Sequence, residues 1–169
     1  KRLSTKTSLW FAEHITQSLV DATPPFFKNR RVYLVDGTTV TLAPEPALRL
    51  EFPPASNQHG QSAFPVALLA MAHELSSGAA LVPEVGAMYG AEAVSETALV
   101  DRLFVQMPED AIVLADAGFG IFAVAWSAQR ARRDFVIRLT CSRFKALRRQ
   151  ATRISRQANG ITTYELTWH

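Results

Sequence analysis

The run Ala111-Ile112-Val113-Leu114-Ala115 contains no polar side chain and stops at Asp116. Five consecutive apolar residues are typical of a strand buried on both faces, as in parallel strands covered by helices. A second run, Arg31-Val32-Tyr33-Leu34-Val35, is β-branched and aromatic and also stops at an aspartate, Asp36. A chain with two such strands is expected to bury them in a sheet rather than fold as a helix bundle.

The remaining elements are placed around these strands. Residues 1–22 are predicted helical from Leu9, Trp10, Phe11, Ile15 and Leu19, with Thr7 or Ser8 as cap and Pro24-Pro25 as terminator. Trp10 and Phe11 are expected in the core or against a partner helix. Asp36-Gly37 breaks the first strand, and residues 38–42 resume it. Pro44, Pro46, Pro53 and Pro54 make residues 43–62 a long loop. Residues 64–75 fit a buried strand, Ser77-Gly78 a turn, and residues 79–85 the returning strand of a hairpin. Residues 92–106 are predicted helical, with Leu99, Leu103 and Phe104 inward and Ser95, Glu96, Asp101 and Arg102 on the polar face. Residues 121–133 form another amphipathic helix and 135–139 another strand. Asn159-Gly160 is a hairpin signal, with residues 161–166 as its second strand.

The order is helix, three strands, then alternating helix and strand. It predicts a mixed α/β fold, a mixed sheet with flanking helices, in the order of the ribonuclease-H-like fold. Three segments are expected: an N-terminal helix and linker (1–30), a partial ribonuclease-H-like catalytic core (31–140), and the start of a basic β-rich insertion (141–169), inside which the chain is cut.

The 169 residues are 48% hydrophobic and 20% charged, ordinary for one globular domain. No apolar run reaches the roughly 18 residues of a membrane span, so no membrane partner is expected. The single cysteine, Cys141, excludes an internal disulfide and a multi-cysteine zinc site. The net charge of +3 hides a partition. Residues 1–33 hold six Lys/Arg against two acids, residues 34–129 two against eleven, and residues 130–169 ten against two. An acidic centre between basic ends fits a protein that uses a metal and binds a polyanion; a solvated basic face reads equally well from charge alone.

Asp36 and Asp116 stand apart from the other acids. A carboxylate closing an apolar strand needs a hydrogen-bond partner, a cation or a raised pKa. Neighbouring strands would aim both into one crevice, where Mg²⁺, a hard oxygen-seeking ion, relieves their repulsion. Two such ions about 3.5–4 Å apart activate a water or hydroxyl and stabilise the leaving oxygen of a phosphodiester. Two plainer readings stay open: Asp36-Gly37 as a turn and Asp116 as a helix N-cap. His73 is expected as a hydrogen-bonded core residue, His59 as a weak candidate near nucleic acid, and Cys141 as structural.

The stretch Val32-Tyr33-Leu34-Val35-Asp36-Gly37-Thr38-Thr39-Val40 resembles the first-aspartate motif of bacterial insertion-sequence transposases of the DDE type. Val113-Leu114-Ala115-Asp116-Ala117-Gly118-Phe119-Gly120 is similar to their second-aspartate motif, and Gln58-His59-Gly60 with Phe64-Pro65-Val66-Ala67 looks like the segment between. The subgroup is the one with a β-rich insertion before the third acid. The resemblance covers roughly residues 30–145. It implies a ribonuclease-H-like core with Asp36 and Asp116 as catalytic ligands of two Mg²⁺ or Mn²⁺ ions, and cut-and-paste transposition. A water, then the freed 3′-hydroxyl, would attack phosphodiesters at the element's ends. The implied partner is double-stranded DNA, the transposon ends and target, in the bacterial cytoplasm at the nucleoid; a homodimer on DNA is one arrangement, and the oligomeric state stays open.

Two departures follow. The family often places Arg after the second aspartate, where this chain has Ala117. Its third acid lies in a Tyr-x2-Arg-x3-Glu-x6-Lys helix, which nothing after Asp116 matches. The third acid is therefore expected beyond His169, and this chain alone is expected to be inactive. DNA contact is expected from Arg132, Arg133, Arg143, Lys145, Arg148, Arg149 and Arg153, through the phosphate backbone. Two rival readings remain: a non-catalytic DNA-binding remnant, and another ribonuclease-H-like nuclease whose third acid is Glu165.

Overall fold

A computed structural model describes residues 4–25, 27–58 and 60–168. His59 lies outside the described residues, so its expected approach to nucleic acid has no structural counterpart here. In chain order the elements are α1 (Thr5–Ala22), β1 (Val32–Thr41), α2 (Pro46–Glu51), β2 (Ser56–Asn57), β3 (Gly60–Gln61), β4 (Val66–Glu74), β5 (Glu84–Ala87), α3 (Glu96–Gln106), β6 (Ile112–Ala115), α4 (Phe122–Arg130), β7 (Asp134–Ile137), α5 (Cys141–Arg148), β8 (Arg153–Arg156) and β9 (Thr162–Glu165).

The fold is mixed α/β. Five strands form one mixed sheet in the order β5-β4-β1-β6-β7. β4 runs antiparallel to both β1 and β5, while β1, β6 and β7 run parallel. This arrangement is compatible with the order expected from the sequence. β2-β3 and β8-β9 are separate two-stranded sheets. Among the described residues no helix is long and apolar enough to cross a membrane.

β1 is one uninterrupted strand through Asp36-Gly37. The expected break does not occur, because the chain keeps an unbroken register with β4 from Tyr33 opposite Glu74 to Thr41 opposite Val66. The long loop holds α2, started by Pro46 where its missing N–H costs nothing, and the β2-β3 hairpin. The returning strand of the β4 hairpin comes late, at Glu84; before it, an isolated bridge joins Ala80 to His73.

The core lies on one face. Tyr33, Val35, Ala70, Ala72, Val113 and Ala115 project from the sheet against Leu99, Val100, Leu103 and Phe104 of α3 and Val124 and Ala128 of α4. Burying each larger side chain contributes about 1.5–3 kcal/mol. The opposite face is open: Leu34 is 44% exposed and Val136 62%, with half-buried Leu114 between them in register. On this face Val32 and Ile112 are still buried, so the cover is lost further along the strands, toward Leu34 and Leu114. His73 shares this open face with Leu34, its register partner, and is half-buried rather than a core residue.

α1 is capped by Ser4, whose hydroxyl accepts from the Thr7 N–H at 3.1 Å, in place of the expected Thr7 or Ser8. It is tied to the body by Thr16 Oγ1 donating to the Ala80 carbonyl (2.9 Å) and by Arg31 donating to the Val20 carbonyl (2.7 Å). No α1 residue is buried, and Trp10 and Phe11 meet edge-to-face outside the core.

α3 starts four residues later than its pattern suggested, at Glu96, because Ser95 caps it by accepting from the Ala98 N–H at 3.2 Å. Ser95→Ala is expected to destabilise the protein by about 0.5–2 kcal/mol. A lowered midpoint of urea unfolding with an unchanged slope checks this.

Candidate functional site

The last register pair between β1 and β6 is Val35 with Ala115. Asp36 and Asp116 are the next residues on the two strands, so parallel pairing at about 4.8 Å spacing sets them side by side. Both are exposed. Asp36 Oδ1 accepts from the Gly37 N–H (2.9 Å), and Asp116 Oδ1 accepts from the Gly118 N–H (2.7 Å). Asp36 sits in mid-strand, so it is no turn residue. Asp116 is not a helix cap either, since Ile121 holds that position before α4. One oxygen of each carboxylate is engaged by backbone and the other has no protein donor among the described residues.

The structure adds an acid that sequence reasoning left on a polar helix face. Glu96 opens α3 and lies over β1, where a Cβ on Gly37 would overlap its carboxylate. Burial pushes the Glu96 pKa above the ordinary glutamate value, and the charges of Asp36 and Asp116 push it further the same way. Three carboxylates therefore share one field at the C-terminal end of β6. Gly37 was the available signal: a glycine inside a strand marks close approach of another group.

The chemistry of this donor set fits a hard divalent cation, because all three groups are carboxylates and Glu96 registers their mutual repulsion. The three acids are neighbours rather than a finished coordination sphere. Among the described residues no group of three or more His, Cys, Asp or Glu side chains is arranged to hold a metal ion.

Glu165, the rival third acid, lies on β9 in the separate β8-β9 sheet. There it pairs with Arg153 at 3.9 Å.

The basic residues divide. Arg133 is only 9% exposed and donates to the Met107 carbonyl, which joins the end of α4 to the end of α3. With its guanidinium turned into the protein, Arg133 differs from the exposed phosphate contact expected of it. Arg132 is exposed, at a positive φ of 57°, and pairs with Glu109 at 3.4 Å. Lys145 and Arg148 are exposed on α5, with the Arg148 guanidinium over the Phe144 ring at 5.9 Å, and exposed Arg149 caps the helix. Arg153 stands on β8. Arg143, half-buried, reaches back to the Ala117 carbonyl at 2.6 Å. The segment expected as β-rich from residue 141 thus begins with a helix, joined to the following hairpin by an edge-on contact of Phe144 with Tyr164 at 5.6 Å. Cys141 is exposed at the start of that helix.

The chain matches no known protein-family description, and no curated protein is significantly similar to it.

Proposed function

We propose that the chain carries a ribonuclease-H-like catalytic centre that cleaves and rejoins DNA phosphodiesters, as in the DDE-type transposases its aspartate motifs resemble. One observation carries the reading: Asp36, in the middle of β1, and Asp116, just past the end of β6, directly follow the last register pair of these parallel strands, with Glu96 close enough to feel both charges. The strand order, with its antiparallel second and third strands and parallel fourth and fifth, supports the fold assignment.

In this reading Asp36 and Asp116, with Glu96 beside them, would hold Mg²⁺ or Mn²⁺, which would supply a lowered pKa for a bound water and charge stabilisation at the leaving oxygen. Asp36 and Asp116 keep their orientation through the backbone N–H groups of Gly37 and Gly118. Glu96 would supply from within the chain the third carboxylate that the resemblance places downstream. The exposed Lys145, Arg148 and Arg149 hold the DNA backbone without reading bases.

Calorimetric titration of Mn²⁺ into the chain, paired with nicking of supercoiled plasmid, tests the proposal. Mn²⁺ uptake is expected to weaken at least tenfold, about 1.4 kcal/mol, in both Asp36→Asn and Asp116→Asn, and nicking to be lost in both. Full retention of uptake or nicking in either variant refutes the assignment. DNA binding with no metal uptake by the unsubstituted chain identifies a non-catalytic DNA-binding protein instead.

A further inference from the structure

The loop from Asp116 to Gly120 is gripped from two sides. Gly120 lies so close to the end of β7 that a Cβ there would fall 2.7 Å from the Arg138 carbonyl oxygen. From the other side, Arg143 Nη1 donates to the Ala117 carbonyl at 2.6 Å. Arg143 is itself fixed, because its backbone N–H donates to Thr140 Oγ1 at 3.3 Å in the cap of α5. A guanidinium has five N–H donors. Among the described residues the Ala117 carbonyl is the acceptor that Arg143 finds in the protein.

We infer that Arg143 is a positioning residue with two sides. One side holds the loop that carries Asp116, and the other presents a fixed positive charge to a phosphate of the DNA engaged at the carboxylates. This rests on the reading of Asp36, Asp116 and Glu96 given above.

The electrostatic need is plain. Asp36, Asp116 and Glu96 repel a polyanion, and Ala117 brings no charge of its own. Beyond the divalent ions proposed at the carboxylates, a cation arriving from another element offsets that repulsion at the loop. Arg143 does so without losing its remaining donors, and a planar fork suits a phosphate better than a point charge does. Its tie to the loop also orders the side chain before DNA arrives, which lowers the entropy lost on binding.

Two readouts on the full chain test the two sides. The first is hydrogen exchange of the Gly118 amide, which donates to Asp116 Oδ1 at 2.7 Å. In Arg143→Met this amide is expected to exchange about tenfold faster, as for loss of one net hydrogen bond. The core amides of Leu103 and Val113 report that the fold is intact. The second readout is the salt dependence of binding to a short mixed-sequence DNA duplex. Its log–log slope is expected to fall by about 1 in Arg143→Met and to recover in Arg143→Lys.

Unchanged Gly118 exchange overturns the positioning side, and an unchanged salt slope overturns the phosphate side. The underlying reading has a separate control. If Mn²⁺ fails to broaden the Gly37 and Gly118 amides of the unsubstituted chain, the carboxylate site falls, whatever Arg143→Met shows.

Discussion

Glu96→Gln is expected to move stability and metal response in opposite directions. In the folded chain the Glu96 pKa lies above the ordinary value of 4.5, first through burial and then through Asp36 and Asp116. The folded state therefore holds this proton to higher pH than the unfolded state does. Stability falls as pH rises from about 4.5 through the folded pKa, and the penalty is fully present above it. The amide in Glu96→Gln carries no charge, so the variant should be more stable than the parent at neutral pH without metal. The two should converge at low pH, where Glu96 is protonated in both states.

Divalent ions reverse the order. A cation that binds only the folded state stabilises by about 2.7 kcal/mol at a hundred times its Kd. On the proposed function the parent is expected to gain this from Mg²⁺ or Mn²⁺, and Glu96→Gln to gain much less. Urea unfolding of both proteins with and without Mn²⁺ at two pH values measures these differences. A parent as stable as Glu96→Gln in metal-free neutral buffer removes the repulsion. An equal Mn²⁺ gain in both removes Glu96 from the site.

What the sequence made legible follows from where its signals are strong. The apolar runs before Asp36 and Asp116 predict strands, and their register makes the two acids neighbours. The helix over α3 was legible from Leu99, Leu103 and Phe104, but not its start, because the apolar period extends upstream through Val94. Only the Ser95 cap marks the boundary, and shifting that boundary turns Glu96 from one more polar-face residue into the first residue of the helix, above Gly37. The open sheet face was illegible for a different reason. A run such as Ala111 to Ala115 is equally apolar whether both faces are covered or one awaits a partner. The inward turn of Arg133, expected among the DNA contacts, was not legible because a charge run does not say which member spends its donors on a carbonyl inside the protein.

The second large effect concerns stability alone. Glu74→Ala is expected to destabilise the protein by about 3–5 kcal/mol, the cost of breaking a buried ion pair from one side. Glu74 is the last residue of β4 and is fully buried. Its Oε2 accepts from the Ser77 hydroxyl (2.6 Å) and the Ser77 N–H (2.8 Å), and its Oε1 faces Arg31 Nη1 at 3.7 Å. Removing it strands the Arg31 guanidinium, which is itself largely buried. A domain with about 5–15 kcal/mol in total would lose a large share. The pair is not irreplaceable: Arg31→Met with Glu74→Leu removes both charges and should recover most of the loss. The pH dependence runs opposite to that of Glu96. Burial alone would raise the Glu74 pKa, but the hydrogen bonds from Ser77 outweigh it and hold the carboxyl below 4.5. The unfolded state then takes up the proton first, so this stabilisation is present above about 4.5 and is lost as pH falls through the folded pKa. Urea midpoints of the parent should drop on acidification through this range, and those of the Arg31→Met, Glu74→Leu pair should drop less. A Glu74→Ala midpoint within error of the parent at neutral pH would show that the buried pair contributes nothing to the fold.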